Sequence, residues 1–138
     1  MWWVYALLSA FFAALTAIFA KMGVAAIPSN LATAIRTVVV LVLIWSIVWA
    51  KGEAKGFQSL SRQHLLFLVL SGLATGLSWM FYFKALQLGN VSQVAPVDKL
   101  SLALTILLSV VFLGETLNAK TALGALLILT GTLVLIWK

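Results

Sequence analysis

Five uninterrupted apolar runs, each about as long as a bilayer core is thick, constrain this 138-residue chain more than any other feature. They fall at about residues 2–21, 31–50, 65–86, 93–113 and 119–137, and a membrane-spanning helix needs roughly 20 such residues. Together they use about 100 residues, so the sequence has no room for a separate soluble domain. The runs are continuously apolar, whereas barrel strands alternate over segments of about 10 residues. The expected fold class is therefore an all-α integral membrane protein, one domain of five transmembrane helices over 1–138. Composition agrees: 64% of residues are hydrophobic and 9% charged, far from the near-half and quarter of a soluble domain. The first run lacks a positive leader, and Ile18 to Lys21 is not a small-residue cleavage site, so it is expected to be a helix and not a signal peptide.

Local signals bound the spans. Pro28, Ser29 and Asn30 carry helix-start chemistry before the second run, and Lys51, Gly52 and Glu53 stop it. Residues 51–64 form the one substantial loop. Gly89, Asn90 and Ser92 make a turn. Pro96 falls about one turn inside the fourth helix, where a missing N–H costs least. Asn118 precedes the fifth helix, and Lys138 is expected to anchor its end. Ala6, Ala10 and Ala14, and Gly72 with Gly76, have spacings that allow close helix approach. Trp2, Trp3, Trp49 and Trp137 lie at span ends, as in an interfacial belt.

Nine basic residues against three acidic ones give a net charge of +6. The basic residues lie singly between apolar runs and form no patch, so nucleic acid is not an expected partner; they read as topology signals. Let side A hold the N-terminus. Side A then carries Lys51, Lys55, Arg62 and Lys120, and side B carries Lys21, Arg36, Lys84, Lys99 and Lys138. Without the membrane-embedded Arg36 the two sides are equal, which leaves orientation undecided and is what insertion in both directions requires. With no cysteine, thiol chemistry and disulfides are excluded. The carboxylates are Glu53, Asp98 and Glu115 and the lone histidine is His64, which makes no catalytic constellation or metal cluster. Neither an enzyme nor a cofactor is expected, and the lack of a phosphate loop argues against ATP hydrolysis.

Of the charges within the runs, Arg36 and Asp98 are the two expected to face inward. Arg36 is about five residues into the second run, roughly 7 to 8 Å deep, and Asp98 lies about as deep in the fourth. A charge within a span costs about 2.5 to 3.5 kcal/mol on insertion scales, so both should face protein or a polar cavity; the alternative is snorkelling to head groups, the default for Lys84 and Lys99. Polar residues also align. Asp98, Ser101, Thr105 and Ser109 share one helical stripe, as do Ser71, Thr75, Ser78 and Tyr82, then Tyr5, Ser9 and Thr16, then Thr33, Arg36 and Thr37. Four such stripes suit a solute pathway, whereas each hydroxyl singly could instead bond within its helix or to a neighbour. Candidate substrate contacts are Arg36, Thr75, Trp79, Tyr82, Ser101 and Thr105. Arg36 suits a carboxylate or phosphate through its bidentate fork, or else neutralises Asp98. Asp98 is the candidate for proton coupling or charge pairing. The fifth run reads as scaffold.

The stretch PVDKLSLALTILLSVVFLGE from Pro96 to Glu115, followed by TLNAKTALGALLILTGTLVL from Thr116 to Leu135, resembles the EamA-type repeat of the drug/metabolite transporter superfamily. The likeness extends back through FYFKALQLGNVSQVAPV, from Phe81 to Val97, and Arg36, and covers essentially the whole chain. Familiar members carry two inverted repeats of five helices and export or exchange metabolites or drugs. A single repeat implies a partner, as in the related small multidrug resistance proteins. The resemblance thus implies a secondary transporter subunit acting by alternating access on a small-molecule substrate. It would work as an antiparallel homodimer among membrane lipid, in a prokaryotic cytoplasmic membrane. A non-transporting scaffold or lipid-interacting component, and a dual-topology channel, are the alternatives. Substrate does not transfer with fold.

Overall fold

The computed structural model describes residues 1–137; the expected anchor Lys138 lies outside them. In chain order the elements are α1 (Trp2–Gly23), α2 (Ser29–Ala50), a short 3₁₀ segment (Glu53–Ser59), α3 (Arg62–Leu88), α4 (Val91–Asp98), α5 (Ser101–Leu113) and α6 (Ala119–Ile136). Five stretches are long and apolar enough to cross a membrane, α4 and α5 together forming the fourth. In hydrocarbon every backbone N–H and C=O must be satisfied within the segment, which is why the apolar runs are helical, the fourth with one break. The chain is an all-α integral membrane protein.

The helices divide between two compact units, one of Met1–Ile18 with the chain from Leu88 onward, the other of Phe19–Gln87. In the second unit, the last turn of α1, the start of α2 and the end of α3 converge at the side B end. Val24, Ala32, Phe83 and Leu86 are buried there, along with the polar Ser29 and Thr33. Thr33 donates its hydroxyl hydrogen to the Ser29 carbonyl at 2.9 Å, so it needs no partner outside its helix. Gln87 Nε2 donates to the carbonyls of Val24 at 3.0 Å and Ile27 at 2.7 Å, and Lys21 Nζ donates to the Leu86 carbonyl. These bonds satisfy carbonyls of the α1–α2 turn and the final turn of α3, which no intrahelical N–H reaches. Farther along, large apolar side chains such as Val39, Leu43, Leu66 and Leu70 are exposed, as lipid-facing residues are. Nothing of this unit comes within 4 Å of the Cβ positions of Gly72 and Gly76, so their close-approach spacing is unused within it.

In the first unit, α6 packs against both α4 and α5. The fourth span is not the continuous helix expected over 93–113. It starts at Val91 and breaks after Asp98, where Lys99 N–H bonds to Pro96 O, Leu100 to Val97, Leu102 to Lys99 and Ala103 to Leu100, all near 3.0 Å. These are tight i to i+3 steps in place of the i to i+4 ladder. Pro96 cannot supply the bond that the Ser92 carbonyl would accept, so its position inside the span has a greater effect than a first-turn proline would. Thr132 of α6, buried, donates to its own helix at Ile128 O and also lies 3.5 Å from the Pro96 carbonyl.

Glycine is required at two places. Gly114 ends α5 with φ +66°, and the following Glu115 N–H reaches back to Ser109 O at 3.3 Å; Gly52 follows α2 with φ +68°. Both are left-handed conformations that a Cβ disfavours. Asn118 caps α6, its Oδ1 accepting from the Thr121 N–H at 2.8 Å and from the Thr121 hydroxyl at 3.0 Å.

Candidate functional site in the α2–α3 unit

Because α2 starts at Ser29, two residues earlier than its apolar run suggests, Arg36 lies two turns inside the helix, about 10 Å along its axis. Its guanidinium is half-buried and turns towards α3. Arg36 Cζ lies over the Trp79 ring, 4.2 Å from its centroid, and 5.3 Å from the centroid of Phe83. Trp79 and Phe83 stand one turn apart on α3 and so present their rings from one face. Tyr82 lies beside them on α3, its ring meeting Phe83 edge-on at 6.4 Å and 83°.

A cation over an aromatic face gains about 0.5 to 1 kcal/mol when exposed and about 2 when desolvated. With two rings this offsets part of the cost of holding the charge within a span. The arrangement is held at the side B end, where Phe83 is 3% exposed and Leu86, three residues on, is fully buried. Gln87 and Lys21 tie that turn of α3 to the α1–α2 turn. Beside these bonds is a cleft of about 270 Å³ lined by Lys21, Val24, Ala25, Leu86 and Gln87.

The remaining sequence candidates divide. Thr75, also on α3, is exposed and donates its hydroxyl hydrogen to Ser71 O at 2.9 Å; Thr37 does the same to Thr33 O at 2.8 Å. In the other unit, Thr105 donates to Ser101 O at 2.8 Å and Ser109 to Ile106 O at 3.0 Å. This back-bonding is the common use of a helical hydroxyl, and it leaves these oxygens as acceptors. Ser101 is exposed at the start of α5. Asp98 ends α4 at the helix break, and its Oδ2 lies 3.5 Å from Lys99 Nζ. With both side chains more than a third exposed, that pair is worth at most about 1 kcal/mol. Among the described residues no group of His, Cys, Asp or Glu could hold a metal ion.

Sequence reasoning missed Phe83, Gln87 and Lys21 as parts of the site. Phe83 was legible as the i+4 partner of Trp79. Gln87 carried a weaker signal, a polar side chain near the end of an apolar span.

Fold and site together define a multispanning helical membrane protein that holds a cation against aromatic rings inside one span. The sequence matches the EamA-like transporter family over residues 1–137, and the chain belongs to that family. A relative from a Sinorhizobium species, described as an uncharacterized transporter in the cobO 3′ region, is 53% identical over 134 residues, 97% of this chain and 95% of the relative. No solved structure matches the chain. The EamA resemblance carried by residues 81–135 is thereby borne out, and the protein is a membrane transporter.

Proposed function

We propose that the chain is one half of a secondary transporter that moves a small organic metabolite or drug by alternating access, and that two copies assemble antiparallel in a prokaryotic cytoplasmic membrane. The observation that carries the reading is Arg36, a half-buried cation two turns inside a membrane span, held over Trp79 and Phe83. Intramembrane charges mark solute pathways by default. Arg36, Thr75, Trp79 and Tyr82 are the proposed substrate contacts in the α2–α3 unit. Ser101 and Thr105 on α5 are proposed on the strength of their shared stripe, and Asp98 as the proton-coupling group.

Two features support the dimer. The Sinorhizobium relative is matched over 95% of its length, so it too is about one five-helix repeat long. Alternating access in inverted-repeat transporters needs two halves of opposite orientation, and the even distribution of Lys and Arg across the two sides permits insertion both ways. The break between α4 and α5 offers a point of bending within a span.

Single cysteines test the topology in this cysteine-free chain. Lys55→Cys in the α2–α3 loop and Ala26→Cys in the α1–α2 turn lie at opposite ends of α2. An impermeant thiol reagent applied to intact cells should label about half the molecules of each variant, as dual insertion requires. All-or-none labelling would reject the antiparallel homodimer. Counterflow of solutes into proteoliposomes tests transport itself, and unsaturable flux would indicate a channel.

A further inference from the structure

We infer that the α2–α3 site takes a planar organic anion, whose carboxylate or equivalent acid group lies along the edge of the Arg36 guanidinium while its conjugated part lies against the aromatic side chains of α3. The inference rests on the transporter reading and specifies the ligand of the same site.

The first argument is what Arg36 already uses. A guanidinium has a face and an edge: the face attracts π systems, and the edge carries five N–H donors that match a carboxylate bidentately. Here the contacts are with rings, at 4.2 Å to Trp79 and 5.3 Å to Phe83. Among the described residues of its unit Arg36 makes no ion pair, and the one acidic residue of that stretch is Glu53, in the 3₁₀ segment beyond the far end of α2. Donors left without acceptors inside a span are costly, and a bound anion relieves that cost.

The second argument is what the rings no longer offer. A cation stacking on these rings would have to compete with Arg36, whose guanidinium already covers one face of Trp79 and lies 5.3 Å from the Phe83 centroid, and would be repelled by it. The charges near this end of the unit, Lys21, Arg36 and Lys84, are all positive. Their field repels cations and raises the local concentration of anions. Planarity follows from the flat, rigid neighbours of the guanidinium, since stacked or edge-to-face packing rewards a conjugated ring over a flexible chain.

The test uses the full chain in lipid nanodiscs and proteoliposomes, with benzoate as probe, benzamide as its neutral isostere, hexanoate as a flexible anion and benzylammonium as a planar cation. Saturable benzoate binding is expected in the millimolar range or tighter. Benzamide and hexanoate should bind about tenfold more weakly, and benzylammonium not measurably. Arg36→Lys, which keeps the charge and loses the fork, should weaken benzoate binding about tenfold. Arg36→Gln should abolish it, with helical circular dichroism retained in both variants. Trp79→Leu should remove the preference for benzoate over hexanoate.

No saturable benzoate binding, equal binding of benzamide, a preference for benzylammonium, or unchanged affinity in Arg36→Lys would overturn the inference. So would recovery of benzoate binding in the Arg36→Gln/Asp98→Asn double variant, because it would make Arg36 a charge partner and not a ligand contact. Counterflow separates this inference from the reading beneath it. Benzoate binding without counterflow keeps the anion site and removes the transporter mechanism, whereas benzylammonium counterflow that survives Arg36→Gln keeps transport and removes the anion site.

Discussion

Replacing Gln87 by leucine tests what holds the aromatic end of α3 in place. The Gln87 amide donates to the Val24 carbonyl at 3.0 Å and the Ile27 carbonyl at 2.7 Å, across the α1–α2 turn. Each hydrogen bond contributes about 0.5 to 1.5 kcal/mol net, and a carbonyl left unsatisfied away from water costs about 1 to 3 kcal/mol. Val24 is 1% exposed, so water does not readily replace the lost donor there. Leucine keeps most of the side-chain volume, and the Lys21 bond to the Leu86 carbonyl remains, so the loss should be about 2 to 3 kcal/mol. That corresponds to a fall of roughly 30- to 150-fold in the folded-to-unfolded ratio. Reversible unfolding in mixed micelles by added SDS measures it. Gln87→Glu sharpens the test, because an ionised carboxylate would face the same two carbonyls as an acceptor facing acceptors. It should therefore destabilise the protein at neutral pH at least as much as Gln87→Leu does. A loss below about 0.5 kcal/mol for Gln87→Leu, together with an equally small loss for Gln87→Glu, would refute the clamp.

Gly114→Ala forces a Cβ into a left-handed cap at φ +66° and should cost about 1 to 2 kcal/mol, while Gly23→Ala, with open space and no positive φ, should be neutral in the same unfolding assay. Asn118→Ala removes the acceptor for the Thr121 N–H and should cost about 1 kcal/mol, lost selectively from α6 and visible as faster amide exchange in its first turn. A double-mutant cycle of Arg36→Gln and Trp79→Leu should show a coupling of about 0.5 to 2 kcal/mol; additive effects on stability would mean that the 4.2 Å contact contributes nothing. Asp98→Asn should abolish uptake driven by a pH gradient while leaving the helical spectrum intact, and full proton-driven uptake in that variant would rule out the coupling role.

The five spans and the membrane class were determined by the sequence alone, because in hydrocarbon an apolar run of this length has one way to satisfy its backbone. The cap at Asn118 and the helix stop at Gly114 were equally local, each settled by a side-chain acceptor or a backbone conformation within a few residues. Arg36, Trp79 and Tyr82 could be named as candidates, since a charge or a large ring inside a span stands out against its neighbours. Which of them meet could not be read, because helical period gives a residue's face but not the helix that face opposes. Tertiary structure decided that Arg36 stacks on Trp79 and Phe83, and that Gln87 and Lys21 close the end of that pair of helices. It also decided that the fourth span breaks after Asp98, two residues beyond Pro96, where the ladder tightens to i+3 bonds, with Thr132 of α6 3.5 Å from the Pro96 carbonyl. Periodicity treats a span as one rigid helix. How a span bends at a proline depends on what the fold packs alongside, and that neighbour, Thr132 of α6, is distant in the chain.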